Sequence, residues 1–382
     1  MILDVSVYLA VFAVSAIMAS LYQRTYNNTQ IKRTSNEIKT VGSVSYCIIG
    51  CLFLFPIITM YGLRLGIGTD YYSYEMIYNT FHITKFNEYW VRYTHNDGIF
   101  YIEPAYYLLN RFFSSYRLLL WGIGILIFAL FNLAVKDYSK SLSYAFALFV
   151  FLSTQFVYAM NGTRFSVALC FILLAYNALA QDKIIKFIVL VLVASLFHQS
   201  ALFCLAMLFL KPYKHKMVNS IRNNVLFVLI LLFPMISPYL FEIVGNLPLF
   251  TRYFTTARYF ASETMSGGWM WLLHILPVFL PLIIFCKEEV FGEAVTNTFF
   301  RICIMEIPFR MLGLYNTWYT RFARYAEIAQ VILIPLVLFK IQNKSKKTAL
   351  YIYYIVWFIF YFSYYAIVND AGDSLPYTWI FS

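Results

Sequence analysis

Apolar residues along this chain come in long unbroken runs, not at the three-to-four or alternate-residue spacing of a half-buried helix or strand. Short breaks rich in basic and aromatic residues close each run. A helix needs about 20 apolar residues to cross the hydrocarbon core. By that measure the spans are 3–22, 41–62, 114–135, 142–160, 163–180, 225–245, 269–286, 295–314, 324–340 and 348–368. The segment 184–210 is too long for one span and is interrupted by Ser195, His198, Gln199 and Ser200. Read as a hairpin with its tip at His198, it becomes two short helices, either spanning or re-entrant around a polar cavity. The hydrophobic pattern therefore predicts an all-α polytopic protein of about 12 transmembrane or re-entrant helices. Residues 1–382 form a single transmembrane domain in this reading, with 63–113 its one large outer loop.

Composition agrees: 61% of residues are hydrophobic, 20% aromatic and only 12% charged, too few to hydrate a soluble surface. Met1–Tyr22 has no basic region before its apolar run and no cleavage site, so it is expected to be the first helix and not a removable signal. The six cysteines lie in or beside apolar runs with no His or Cys partner at metal-binding spacing, and read as small core residues.

The net charge of +11 sits mostly in the breaks, where it sets orientation and does not point to nucleic acid. With twelve helices, fourteen of the fifteen lysines fall in alternate connections, leaving Lys85 as the exception. The positive-inside bias makes those connections cytoplasmic and both termini outer. The fourteen arginines divide differently. Only Arg24, Arg33 and Arg222 are cytoplasmic; Arg64, Arg92, Arg111, Arg117, Arg164, Arg252, Arg258, Arg321 and Arg324 are outer, and Arg301 and Arg310 lie within a helix. Topology alone depletes both residue types outside. An arginine excess there points to an anionic partner held by bidentate hydrogen bonds, or else to lipid phosphates and local carboxylates.

Four constellations carry candidate chemistry. The outer loop opens with Arg64-Leu-Gly-Ile-Gly-Thr-Asp70-Tyr71-Tyr72-Ser-Tyr74 and later carries Glu103-Pro104-Ala-Tyr106-Tyr107. Its carboxylates suit a general base, Arg64 an anion clamp and the tyrosine rings a sugar; the plainer alternative is a solvated turn with Asp70 capping a helix. Arg164 opens a helix at the outer side, where a charge either serves a site or snorkels to the surface. His198 stands alone in apolar sequence, which suits a structural role at least as well as a catalytic one. Arg321 and Arg324 in Tyr319-Thr-Arg-Phe-Ala-Arg-Tyr325 share one helix face and match a pyrophosphate or a lipid headgroup. Arg301, Glu306 and Arg310 are expected to pair with one another inside the bilayer.

These segments resemble, in order and spacing, the EpsG/Wzy-like family of bacterial polysaccharide polymerases. The resemblance rests on Arg64 with Gly68-Thr69-Asp70-Tyr71 and Tyr74, Glu103-Pro104 with Tyr107, Arg164, Phe197-His198-Gln-Ser-Ala-Leu202, and Arg321 to Tyr325 ahead of an Ile-Pro helix. It covers roughly residues 60–340. One departure is Phe165, where the family often has Gln.

The resemblance implies a GT-C-like membrane glycosyltransferase in the bacterial inner membrane, making O-antigen, capsule or exopolysaccharide on its outer face. It would move a glycan from an undecaprenyl-pyrophosphate-linked donor to a lipid-linked acceptor. Asp70, Glu103 and His198 are the implied catalytic residues. Arg64, Tyr71, Arg164, Arg321, Arg324 and Tyr325 are the implied pyrophosphate and glycan ligands. No metal and no cofactor is expected. The expected partners are the undecaprenyl-pyrophosphate-linked oligosaccharide, membrane lipid and a chain-length regulator protein. The competing classes are a polysaccharide flippase or transporter and a membrane glycan O-acyltransferase, the latter disfavoured by five thinly spread histidines.

Overall fold

The computed structural model describes residues 2–34, 53–94, 102–212, 272–313, 320–367 and 373–381, with isolated positions between 221 and 243. Most of the expected spans 41–62 and 225–245 lies outside the described residues, as do Cys47, Cys51, Lys39, Lys214, Lys216, Arg252, Arg258 and Tyr319.

Every element among the described residues is helical, apart from one isolated antiparallel bridge between Arg64 and Trp379. The first helices are α1 (Ile2–Thr34), α2 (Phe55–Leu63), α3 (Tyr71–Ile83), α4 (Phe86–Thr94) and α5 (Pro104–Phe112). Next come α6 (Tyr116–Lys136), α7 (Tyr144–Asn161), α8 (Thr163–Ala180), α9 (Ile184–Ser195) and a 3-10 segment, Gln199–Leu210. The remainder are α10 (Leu272–Phe285), α11 (Lys287–Phe291), α12 (Ala294–Ile304), α13 (Glu306–Leu312), α14 (Thr320–Glu327), α15 (Gln330–Lys340) and α16 (Lys344–Ile367).

Among the described residues, six helical stretches are long and apolar enough to cross a bilayer: Asp4–Asn28, Tyr116–Lys136, Tyr144–Asn161, Thr163–Ala180, Thr320–Lys340 and Lys344–Ile367. The chain is therefore a multi-pass, all-helical membrane protein. Ile184–Ser195, Gln199–Leu210 and Ile275–Phe285 are apolar but shorter. The interruption in 184–210 falls at Leu196–His198, where the polar cluster places it. Two expected spans are broken: 295–314 turns at Met305 between α12 and α13, where Pro308 cannot donate to the Ile304 carbonyl, and 324–340 begins at Thr320 and turns at Ile328–Ala329.

By its contacts the chain forms two compact units. One contains Met1–Ala178, Lys183–Leu205 and Ile334–Ser382; the other contains Leu179–Asp182 and Ala206–Leu333. In the first unit, Ser115 and Ser143 cap α6 and α7 by accepting from the backbone N–H groups of Leu118 (3.2 Å) and Phe146 (3.3 Å). Gln23 of α1 donates to the carbonyls of Ser139 and Leu142 and accepts from the N–H of Tyr144, so one amide satisfies the α6–α7 turn. Towards the opposite ends of these helices, Tyr8, Phe12, Phe156, Phe362 and Tyr377 pack edge to face and fasten α1 to α7, α16 and the C-terminal segment. Helix α2 lies so close to α6 that a Cβ on Gly62 would stand 2.5 Å from the Trp121 ring.

Residues 63–113, expected as an outer loop, contain three helices, α3 to α5, with buried faces carrying Tyr71, Tyr74, Tyr78, Tyr89, Tyr106 and Tyr107. The four described cysteines, Cys170, Cys204, Cys286 and Cys303, are free and buried, as their apolar settings predict.

Candidate functional site

The turn from Arg64 to Asp70 is fixed against the junction of α7 and α8. Gly68 has φ 104°, a conformation that side chains rarely adopt, and a Cβ there would meet the Met160 carbonyl at 2.8 Å. Asn161, the last residue of α7, accepts from the Thr69 hydroxyl (2.8 Å) and from the Asp70 N–H (3.0 Å) through one amide oxygen. Asp70 occupies the N-cap position of α3, yet its carboxylate makes no capping hydrogen bond and is exposed. It is held by its backbone, with its oxygens turned to the surroundings. Its exposed place ahead of α3 is the one the solvated-turn reading gave it; what is missing is the capping hydrogen bond itself.

Three residues beyond Asn161, Arg164 stands in the first turn of α8. Its Nη1 donates to Glu103 Oε2 at 2.5 Å, while Glu103 Oε1 accepts the backbone N–H of Gln199 at 3.2 Å. Glu103 is buried, so its charge needs this arginine and the amide at the start of the 3-10 segment. The same neighbourhood is tied by the Ala105 N–H, which donates to the Leu196 carbonyl at 3.0 Å. Proline at the first position of α5 places Glu103 just ahead of the helix, in extended backbone. The rings of Tyr74 and Tyr106 each stand 5.8 Å from the Arg164 guanidinium carbon and meet edge on, 5.8 Å apart. Burial pushes both phenols above the usual tyrosine range, and the cation of Arg164 offsets only part of that. The Tyr106 hydroxyl and the Arg164 Nε are buried without a hydrogen-bond partner among the described residues.

His198 lies at the break between α9 and the 3-10 segment, one residue before the N–H that binds Glu103. Its Nδ1 is 2.7 Å from the Ser200 hydroxyl, and its ring stands edge on to Phe165 at 5.0 Å. Phe165, the departure from the family pattern, therefore packs on the histidine.

Arg64 is fully buried and, among the described residues, no hydrogen-bond partner meets any of its three guanidinium nitrogens. The group lies over the Tyr61 ring, 4.1 Å from its centre. The Tyr61 hydroxyl donates to the Ala159 carbonyl and stands 3.5 Å from the Thr163 hydroxyl, so Arg64 reaches the α7–α8 junction through this ring. Arg117 donates to the Gly62 carbonyl (3.0 Å), the Arg64 carbonyl (2.5 Å) and the Tyr71 hydroxyl (3.4 Å). The C-terminal segment covers Arg64: Leu65 N–H donates to the Thr378 carbonyl and Ile380 N–H to the Leu63 carbonyl, both at 3.1 Å.

The first unit thus gathers Arg64, Asp70, Tyr71, Glu103, Arg164 and His198 around one junction. Tyr74 and Tyr106, expected to face a sugar, instead flank Arg164, and Asn161 and the Gln199 amide join them as positioning groups that sequence reasoning missed.

In the second unit, Arg324 Nη1 donates to Glu327 Oε2 at 2.8 Å and Arg310 Nη2 to Glu327 Oε1 at 3.3 Å. Arg310 Nε donates to Glu306 Oε1 at 2.5 Å, and Gln330 Nε2 to Glu306 Oε2 at 2.6 Å. Two guanidiniums, two carboxylates and the Gln330 amide therefore belong to one buried hydrogen-bonded network. Arg321 is half-buried and Tyr325 is fully buried. Arg301 departs from the expected pairing: its Nε donates to Asn297 Oδ1 at 2.9 Å, four residues back on α12, so its partner is an amide and not a carboxylate.

No curated protein and no solved structure matches the chain. The model of the EpsG family, whose membership suggests a function of the polysaccharide-polymerase type, matches residues 47–379. That range takes in the Arg64 turn, the Glu103–Arg164 pair, His198 and the α14 arginines together, and the chain belongs to the EpsG family.

Proposed function

We propose that this protein is a polysaccharide polymerase that moves a glycan from an undecaprenyl-pyrophosphate-linked donor to a lipid-linked repeat-unit acceptor, on the outer face of the bacterial inner membrane. The observation that carries the proposal is the α7–α8 junction. Asn161 holds the Asp70 turn, and three residues later Arg164 is presented inside a tyrosine cage by Glu103. A carboxylate open to its surroundings and an oriented guanidinium are the two groups that glycosyl transfer from a pyrophosphate needs.

In this reading the acceptor hydroxyl oxygen attacks the anomeric carbon of the donor, its proton passes to Asp70, and the bond from that carbon to the pyrophosphate oxygen breaks. Arg164 stabilises the charge that develops on the leaving pyrophosphate. Glu103 is committed to Arg164 and to the Gln199 amide, so it orients the cation and does not serve as the base. His198 and Tyr71 support the site. Arg64, and independently Arg321 and Arg324 of the second unit, are proposed anion ligands, with membrane lipid and a chain-length regulator protein as further partners. The fold is read as about twelve transmembrane or re-entrant helices in one GT-C-like transmembrane domain, with 63–113 outside, both termini outside and no metal in the reaction.

A second reading, a flippase, is favoured by the buried ionic network of α13 to α15 and by the breaks at Met305 and Ile328–Ala329. Charges beside interrupted helices also suit a translocation path. One experiment separates the two. Cells lacking the protein should carry single repeat units on their outer surface in place of a ladder. Repeat units trapped on the cytoplasmic side would instead establish the flippase.

A further inference from the structure

One surface of the first unit has no part in the site described above. Helices α3 and α4 enclose an open groove of about 640 Å³, lined by Tyr72, Glu75, Asn79, Thr80, Glu88 and Arg92 among others. That volume lies within the range of small-ligand sites.

Its chemistry is distinctive in this chain. Tyr72, Glu75 and Asn79 stand on one face of α3 at intervals of three and four, just beyond Asp70. The Tyr72 ring is 66% exposed, a large flat apolar face that packs only edge on against Tyr71. Glu75 and Asn79 make no side-chain hydrogen bond or ion pair with the described residues, so their carboxylate and amide are free for a ligand. Glu88 and Arg92, four residues apart on α4, form an ion pair at 2.6 Å along one side of the groove.

An exposed ring face, a free carboxylate and a free amide along one groove are the groups that bind a saccharide. The ring stacks on the C–H face of a pyranose, and the polar groups meet its hydroxyls. The charge sign decides which part of the substrate enters. Arg92 neutralises Glu88, so the unpaired Glu75 leaves the groove one net negative charge, whereas the phosphate ligands proposed above are all arginines; the groove therefore disfavours phosphate and accepts uncharged or amino sugars. Asp70 stands just ahead of the first turn of α3, so a chain of sugars lying along Asn79, Glu75 and Tyr72 runs towards the end of the helix that carries that carboxylate.

We propose that the α3–α4 groove is the binding site for the saccharide of the acceptor, stacking one sugar ring on Tyr72 and feeding its terminal hydroxyl towards Asp70. The feeding step rests on the polymerase reading; the saccharide site itself does not.

The test uses the purified full-length protein in nanodiscs and, as probe, soluble oligosaccharides from partial acid hydrolysis of the producing cell's own surface polysaccharide. Saturation-transfer NMR should show contact with sugar ring protons in the wild type, and Tyr72→Ala and Glu75→Gln should each weaken binding about tenfold. Glu75→Gln is nearly isosteric and guards against a folding defect in Tyr72→Ala. With lipid-linked repeat units, the same variants should raise the KM for acceptor by a similar factor and leave kcat within about twofold. Equal binding by wild type and both variants overturns the groove. Binding that depends on Tyr72 and Glu75, in a protein that forms no polymer from lipid-linked units, sustains the groove and overturns the polymerase.

Discussion

Arg164 and Glu103, 61 residues apart in the chain, meet at 2.5 Å, and the carboxylate's second oxygen takes the Gln199 N–H. A guanidinium at the start of α8, a carboxylate ahead of α5 and the amide that opens the 3-10 segment are thereby held by one residue. Glu103 is only 3% exposed, so removing Arg164 leaves a buried charge with a single amide to satisfy it.

The pair should therefore be strongly coupled. Glu103→Ala and Arg164→Ala should each destabilise the protein by about 3 kcal/mol, the lower end for a broken buried pair because the arginine side chain keeps 20% exposure. The double variant should recover about 1–2 kcal/mol of the summed loss. Thermal unfolding in detergent measures all three, and strictly additive losses would show that the two residues do not act as a unit. Arg164→Lys, which cannot reproduce the planar fork, should restore stability better than it restores polymer length.

The tyrosine cage gives a pH dependence. Burial raises the phenols of Tyr74 and Tyr106, so the folded protein holds their protons beyond the pH at which an unfolded tyrosine ionises. Their contribution is fully present below about pH 10 and declines as pH rises beyond that value. Melting temperature should be flat from neutral pH to about 9 and then fall. Tyr106→Phe, which removes a buried hydroxyl that has no partner, should reduce that alkaline loss and leave stability at pH 7 unchanged or slightly raised.

Arg64 poses the opposite case, a buried cation whose guanidinium lies over the Tyr61 ring and has no hydrogen-bond partner among the described residues. Replacing it by Met keeps the length of the side chain and removes the desolvated charge. Arg64→Met should melt at the same temperature as the wild type or above it, since exchanging a buried charge for an apolar side chain is often neutral or stabilising. Its polymer ladder should nonetheless shorten or vanish. Lower stability with normal polymer would assign Arg64 to the fold alone.

Much of this architecture was legible in the residues themselves. Runs such as 116–136 and 163–180 are apolar on all sides, so their helices follow from length alone, and the cluster Ser195-His198-Gln199-Ser200 marks the break that separates α9 from the 3-10 segment. Asp70, Glu103 and Arg164 stood out because charges are rare in such a chain. What no periodicity carries is long-range pairing. Glu103 resembles any residue before a proline until α8 brings Arg164 to it, and Asn161 resembles an ordinary helix end until the Gly68 turn folds onto it. The three helices within 63–113 were hidden because their buried faces are tyrosines, which a hydropathy reading treats as interfacial. The break at Met305 does carry a local mark, Pro308, which cannot donate to the Ile304 carbonyl, but a reading of hydropathy alone passes over it.

The two arginines of α14 should part company. Arg324 belongs to the network with Glu327, Arg310, Glu306 and Gln330, so Arg324→Ala should lower protein abundance as well as activity, at a cost of about 3–5 kcal/mol. Arg321 lies on the half-buried side of the helix, and Arg321→Ala should leave abundance normal and abolish the ladder if it binds pyrophosphate. Quantitative immunoblots beside the polymer gel distinguish these outcomes. Equal abundance for both variants would remove Arg324 from the structural role.

Asp70 gives the cleanest test of chemistry, because its side chain contributes nothing evident to the fold. The turn is held by the Asp70 N–H and by the Thr69 hydroxyl on Asn161, both of which Asp70→Asn leaves in place. Melting temperature should therefore stay within about 1 °C of the wild type, as for surface substitutions away from any structural feature. An amide cannot take the proton of an attacking hydroxyl, so the rate of polymer formation should fall by about 10²–10⁴, the span that general base catalysis supplies. Asn161→Ala should give a smaller loss, because it frees the turn but keeps the carboxylate. Comparing the two variants separates the contribution of the base from that of its placement. An Asp70→Asn protein that polymerises at the wild-type rate would move the search for the base to His198.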